Sequence, residues 1–97
     1  MILTVPQIKK VVATVCRKYG VKSAYLFGSY AKAKATESSD VDLIVDIDNM
    51  KKYRDYYHFC DALEKGLGKD VDVTAESGMR PGFYDMIKND RVLLYGA

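Results

Sequence analysis

Apolar residues recur at helical spacing through the start of the chain. Ile8, Val11, Val12, Val15, Cys16 and Tyr19 fall on one helical face with lysines and an arginine between them, which predicts a helix over residues 4–19. Thr4 suits the N-cap, Pro6 the first turn and Gly20 the stop. The period then shortens. Val21–Phe27 reads as a short strand ending at Gly28, and the small residues Ala31, Ala33 and Ala35 suggest a helical turn or tight loop. After the polar connector Thr36-Glu37-Ser38-Ser39, Val41, Leu43 and Val45 alternate with Asp40, Asp42, Ile44 and Asp46. That is strand periodicity with an acidic side.

A second long helix is expected from about Met50 to Leu67, capped by Asp48 or Asn49. Its apolar face would comprise Tyr53, Tyr56 or Tyr57, Cys60, Leu63 and Leu67. Val71 and Val73 flank Asp72 in a third strand, Pro81 opens a short helix carrying Phe83, Met86 and Ile87, and Val92–Tyr95 closes as a brief strand or extended tail. The order describes one compact α/β unit, a small mixed sheet flanked by helices.

At 97 residues a single domain spanning 1–97 is the expectation. Hydrophobic residues at 48% and charged residues at 29% match a globular chain and exclude disordered, collagenous and coiled-coil classes. No apolar run is long enough for a bilayer, and the first residues lack a signal-peptide pattern. Cys16 and Cys60 lack metal-ligand spacing, so reduced thiols and a cytoplasmic setting are expected. Residues 1–35 carry +7 and residues 36–97 carry −5. Lys9, Lys10, Arg17 and Lys18 read as the solvated face of the first helix, and no nucleic-acid recognition motif accompanies them.

The sharpest chemistry is Asp40-Val41-Asp42. Residues two apart on a strand share a face, so two like charges stand together and invite a divalent cation. Upstream, Gly28-Ser29 closes a strand, where glycine allows close approach of a phosphate and serine adds a donor. Asp72 in the next strand joins the cluster if that strand pairs beside the second. Three carboxylates beside a phosphate cradle are the components of two-metal phosphoryl transfer. His58 has no companion nucleophile or ligand and reads as a surface residue, whereas Tyr53, Tyr56 and Tyr57 could stack on a base or meet a protein partner.

Gly28-Ser29, ten intervening residues, then Asp40-Val41-Asp42-Leu43 resembles the minimal nucleotidyltransferase branch of the DNA polymerase β-like nucleotidyltransferase superfamily. The resemblance covers essentially the whole chain and implies that superfamily's fold. It implies that Asp40, Asp42 and Asp72 are the catalytic carboxylates and hold two magnesium ions. Gly28, Ser29 and, more weakly, Lys32 would bind the phosphates of ATP. It further implies transfer of AMP to a hydroxyl acceptor, a tyrosine of a HEPN-type toxin for which this chain is the antitoxin. The chain departs from the branch at Ala31-Lys32-Ala33, where Ala-Arg-Gly is common. Lysine lacks the bidentate fork of arginine and alanine lacks the backbone freedom of glycine. The alternative is therefore a catalytically weak antitoxin that neutralises its partner by contact; the oligomeric state is left open.

Overall fold

The chain opens with a reciprocal cap. Thr4 accepts a hydrogen bond from the Gln7 backbone N–H (3.2 Å) while its own N–H donates to Gln7 Oε1 (2.8 Å). This satisfies two of the donors a helix start leaves orphaned. Helix α1 then runs Val5–Tyr19, as its spacing predicts. The computed structural model describes residues 2–50, 52–79, 82, 83, 85 and 89–96. Strand β1 (Ser23–Phe27), the single turn α2 (Gly28–Ala31), strand β2 (Val41–Asp46), helix α3 (Tyr53–Leu67), strand β3 (Val71–Ala75), a 3₁₀ turn (Glu76–Gly78) and strand β4 (Val92–Tyr95) follow. The expected helix opened by Pro81 lies, with Met86 and Ile87, outside the described residues.

The four strands form one mixed sheet in the order β3-β2-β1-β4. β1 pairs antiparallel with β2 and β4, while β2 pairs parallel with β3. The parallel pair needs a crossover, and α3 supplies it. Ile8, Val12 and Cys16 of α1 and Phe59, Leu63 and Leu67 of α3 pack with Ala24, Leu26, Val41, Leu43 and Val45 on one face of the sheet. Tyr19 meets Phe59 edge-on with ring centroids 6.0 Å apart. The two helices also touch each other closely, since a Cβ at Gly66 would collide with the Val11 side chain.

α3 departs from expectation in two ways. It begins at Tyr53, with Lys52 at the N-cap and no side-chain cap bond. The Asp46 carboxylate instead accepts the Asp48 N–H (3.2 Å), and the Met50 N–H donates to the Ile47 carbonyl (2.8 Å), so residues 46–50 form a turn. Its buried row is Phe59, Leu63 and Leu67, while Tyr53 and Tyr57 are 85% and 68% exposed. Tyrosine is amphipathic, so Tyr53 and Tyr57 fit an apolar spacing while standing in water, and the buried row starts at Phe59 before the expected Leu63 and Leu67.

Candidate functional site

An antiparallel pair brings the start and the end of its connection to the same edge of the sheet. The β1–β2 connection starts at Gly28 and ends at Asp40, and Phe27 is the register partner of Asp42. The separation of Gly28-Ser29 from Asp40-Val41-Asp42 along the chain is thus closed in space. β3 lies parallel to β2 with Asp72 the register partner of Asp42. Strand alternation puts Val41, Leu43 and Val45 against the helices, and Asp42 on the other face. Asp40 is exposed and Asp42 half-buried.

Electrostatics register this gathering. The Asp42 carboxyl is raised above its ordinary value, first by burial, then by the charges of Asp72 and Asp40. Carboxylate oxygens are the donors magnesium takes, and they leave it free to keep waters and substrate phosphate. Among the described residues no group of three or more acidic, histidine or cysteine side chains is placed to hold a metal ion; Asp42 and Asp72 are cross-strand partners, and Asp40 precedes Asp42 by two residues. The paired carboxylates Asp42 and Asp72 are of the donor type that suits magnesium keeping several of its waters.

Gly28 has two reasons to be glycine. Its φ is +73°, and a Cβ there would collide with the Asp42 carboxylate. The backbone therefore passes directly against the carboxylate. Lys34 N–H donates to the Ser29 carbonyl (2.9 Å) and Lys32 N–H to the Gly28 carbonyl (3.1 Å), closing the turn. Ala33 adopts φ +58°, the left-handed region where a Cβ costs roughly 1–2 kcal/mol. Position 33 is where glycine is common in the branch, and the chain keeps the conformation with alanine in it.

The Lys32 ammonium lies 4.0 Å from the Asp90 carboxylate, both half-exposed. Other neighbours escaped the sequence reading. The Phe83 ring meets Phe27 edge-on at 5.9 Å, and the Arg91 guanidinium lies 4.1 Å from the Tyr25 ring centroid. No local spacing links Phe83 or Arg91 to β1; the β1–β4 pairing brings Arg91 beside that strand. Tyr56 is half-buried, its phenol pushed up to about 12 by burial, by hydrogen-bonded Cys60 and by Asp72. His58 is exposed. Cys16 is a buried free thiol, pushed up to about 12 by burial, and Cys60 is a half-buried free thiol. Beside Asp40 runs a polar groove of about 690 Å³, bounded by Glu37, Glu64 and Lys65. Among the described residues no helix is long and apolar enough to cross a membrane.

Comparison with known proteins agrees with this geometry. The family described as nucleotidyltransferase domain matches residues 8–94. A Methanocaldococcus jannaschii protein named "Putative protein adenylyltransferase MJ0435" is 36% identical over 93% of this chain and 97% of its own. A solved structure described as "Structure of putative minimal nucleotidyltransferase" superposes with a TM-score of 0.79 at 27% identity, over 93% of this chain and 95% of that one. A chain of the tri-AMPylated Shewanella oneidensis HEPN toxin in complex with MNT antitoxin shares the fold. Its TM-score is 0.71 at 18% identity, over 97% of this chain and 74% of that one. The shared architecture is the polymerase β-like nucleotidyltransferase fold.

Proposed function

This chain belongs to the nucleotidyltransferase domain family and is a nucleotidyltransferase, and we propose that it moves AMP from ATP to a hydroxyl of a partner protein. The observation that carries this is the meeting of Gly28, Asp42 and Asp72 at one sheet edge. Asp40, Asp42 and Asp72 would supply the oxygen donors for two magnesium ions. Magnesium, when bound, neutralises the triphosphate and lowers the pKa of the attacking hydroxyl. The backbone at Gly28-Ser29 and the Ser29 hydroxyl receive the β- and γ-phosphates, with Lys32 adding positive charge. The acceptor oxygen forms its bond to the α-phosphorus as the bond to the bridging oxygen breaks. Pyrophosphate leaves, and Asp72 stands at the edge to take up the hydroxyl proton.

A HEPN-type toxin is the proposed acceptor protein, its tyrosine the acceptor residue, and this chain its antitoxin in the cytoplasm. The tri-AMPylated toxin in complex with its MNT antitoxin supports this reading, as does the adenylyltransferase name of the 36% identical relative. In this reading residues 1–97 form a single domain, the partner supplies the acceptor, and part of this chain's surface recognises it. Contact-only neutralisation is favoured by two observations, the Lys32–Asp90 pair and the alanine held at position 33. The test is incubation of the chain with magnesium, ATP labelled at the α-phosphate and host lysate. A labelled band made by the wild type and lost in Asp42→Asn is expected. Nucleotide binding with neutralisation, but no labelled band in the presence of the purified toxin, would leave the contact reading in its place.

A further inference from the structure

The sheet order places the phosphate turn and the third strand on opposite sides of the strand that carries the carboxylates. Gly28-Ser29 follows β1, Asp40 leads into β2, Asp42 lies within it, and β3 pairs on the far side. Displacement at phosphorus runs in line, with the attacking and leaving oxygens on opposite sides. A pyrophosphate that leaves towards the β1 side therefore requires an acceptor that enters from the β3 side. The polar groove of about 690 Å³ lies there, opening at Asp40 and continuing past Asp70, Glu64 and Gly68. Asp70 repeats Asp40 in sequence and in space. Asp70-Val71-Asp72-Val73 matches the pattern of Asp40-Val41-Asp42-Leu43. Val41 and Val71 are register partners, and the Val41 N–H donates to the Asp70 carbonyl (3.1 Å).

The groove selects by charge. Its two lysines are engaged: the Lys65 ammonium lies 2.9 Å from the Asp61 carboxylate, and Lys69 donates to the Glu37 carbonyl (2.8 Å). Among the described residues no salt bridge engages Asp40 or Asp70, both of them exposed. Glu64 is half-buried, and one of its carboxylate oxygens accepts the Val71 N–H (3.4 Å). α3 ends at Leu67 in the groove wall, so the negative end of its dipole adds to these charges. We infer that this groove receives the acceptor polypeptide, and that Asp70 and Glu64 select a segment with arginine or lysine beside its hydroxyl residue. This rests on the nucleotide-transfer reading above and names the surface that recognises the acceptor. A guanidinium or ammonium of the incoming segment meets the groove carboxylates while the hydroxyl reaches the edge at Asp40 and Asp42. The acceptor oxygen then bonds to the α-phosphorus, the bridging oxygen departs with pyrophosphate, and the hydroxyl proton passes to a carboxylate. Asp70 and Glu64 touch the segment and not the reacting atoms, so they set specificity.

The experiment is fluorescence-anisotropy binding of two labelled synthetic peptides, with magnesium and the non-transferable analogue α,β-methylene-ATP present throughout. One peptide has a central tyrosine flanked by arginines, the other the same tyrosine flanked by glutamates. The proteins are wild type, Asp70→Asn, Asp70→Lys and Glu64→Gln. Asp48→Lys is the control, an exposed position beyond the other end of β2 with the same change of charge. Thermal melts confirm that each is folded, and calorimetry measures analogue binding to wild type. Wild type is expected to prefer the arginine peptide by about tenfold or more. Asp70→Asn and Glu64→Gln each lower that preference about threefold, and Asp70→Lys abolishes it. Asp48→Lys keeps it within about twofold. A merely structural defect weakens both peptides alike and leaves their ratio unmoved. No preference in wild type, an unchanged ratio in Asp70→Lys, or an equal fall in Asp48→Lys overturns the assignment. A wild type that does not bind the analogue overturns the nucleotide-transfer reading instead, so the two failures are separable. Should Asp70→Lys not fold, the ratio in Asp70→Asn decides.

Discussion

The two faces of β2 obey opposite rules. On one, Val41, Leu43 and Val45 are fully buried against α1 and α3; each side chain removed from water stabilises the fold by about 1.5–3 kcal/mol. On the other, Asp42 stands between the charges of Asp40 and Asp72, and its carboxyl is raised by burial and by both neighbours. The strand therefore buries Val41, Leu43 and Val45 on one side, while on the other a buried Ile44 stands next to a carboxylate, Asp42, whose charge opposes the fold. A strand separates these demands because its period is two: substitution on one face leaves the other in register.

The comparison breaks most severely on the helix-covered face. Phe59→Ala deletes a ring that is 0% exposed and packed on Tyr19, and should cost about 3–5 kcal/mol of unfolding free energy in urea. A loss below about 1 kcal/mol would mean that α3 does not anchor this core. Gly28→Ala strikes the seam between the faces. It combines a left-handed φ with a collision against Asp42, so about 2 kcal/mol of stability and most transfer activity should be lost together. Retained activity would show that the backbone need not pass so close to the carboxylate.

Ala33→Gly works in the favourable direction. It relieves a Cβ in the left-handed region, and the gain, reduced by glycine's greater chain entropy, is about 0.5–1 kcal/mol. A fall in the urea midpoint would contradict that. Tyr53→Ser should be nearly silent, within about 0.5 kcal/mol, because Tyr53 is 85% exposed. Set beside Phe59→Ala, it separates two aromatics of the same helix by their burial alone.

Much of this architecture was legible in the residues. The α1 spacing with Thr4 and Gly20, the alternation through β2, and Val71-Asp72-Val73 all describe elements that formed where expected. The Asp42–Asp72 neighbourhood was conditional on strand pairing, and the parallel register supplies it. What stayed hidden is tertiary. The start of α3 was lost to the turn that Asp46 organises, and Phe59 was masked by neighbouring tyrosines whose rings can lie in water or in a core. Strand β1 begins at Ser23 rather than Val21, because Val21 N–H is still bonded to the Cys16 carbonyl at the end of α1. Arg91 against Tyr25 joins residues far apart in the chain through the β1–β4 pairing, which no local pattern specifies.

The sign of the Asp42 effect follows from its raised carboxyl. The folded state holds this proton more tightly than the unfolded chain, so its contribution falls as pH rises from the ordinary value of 3.8 towards the raised one. Below that window the penalty is absent, and above it the penalty is fully present. Asp42→Asn removes it, and its advantage over wild type should shrink as the pH is lowered through the window.

The most direct test measures urea midpoints of wild type and Asp42→Asn at neutral pH, in chelator and across a magnesium series with α,β-methylene-ATP. In chelator the asparagine variant should be the more stable. Magnesium with nucleotide should raise the wild-type midpoint, by an amount equivalent to about 2.7 kcal/mol at a hundredfold excess over the dissociation constant, and leave the variant unmoved. A variant that is less stable in chelator, or that gains as much from magnesium and nucleotide as wild type, would contradict the claim that this face bears its charge for metal-dependent chemistry.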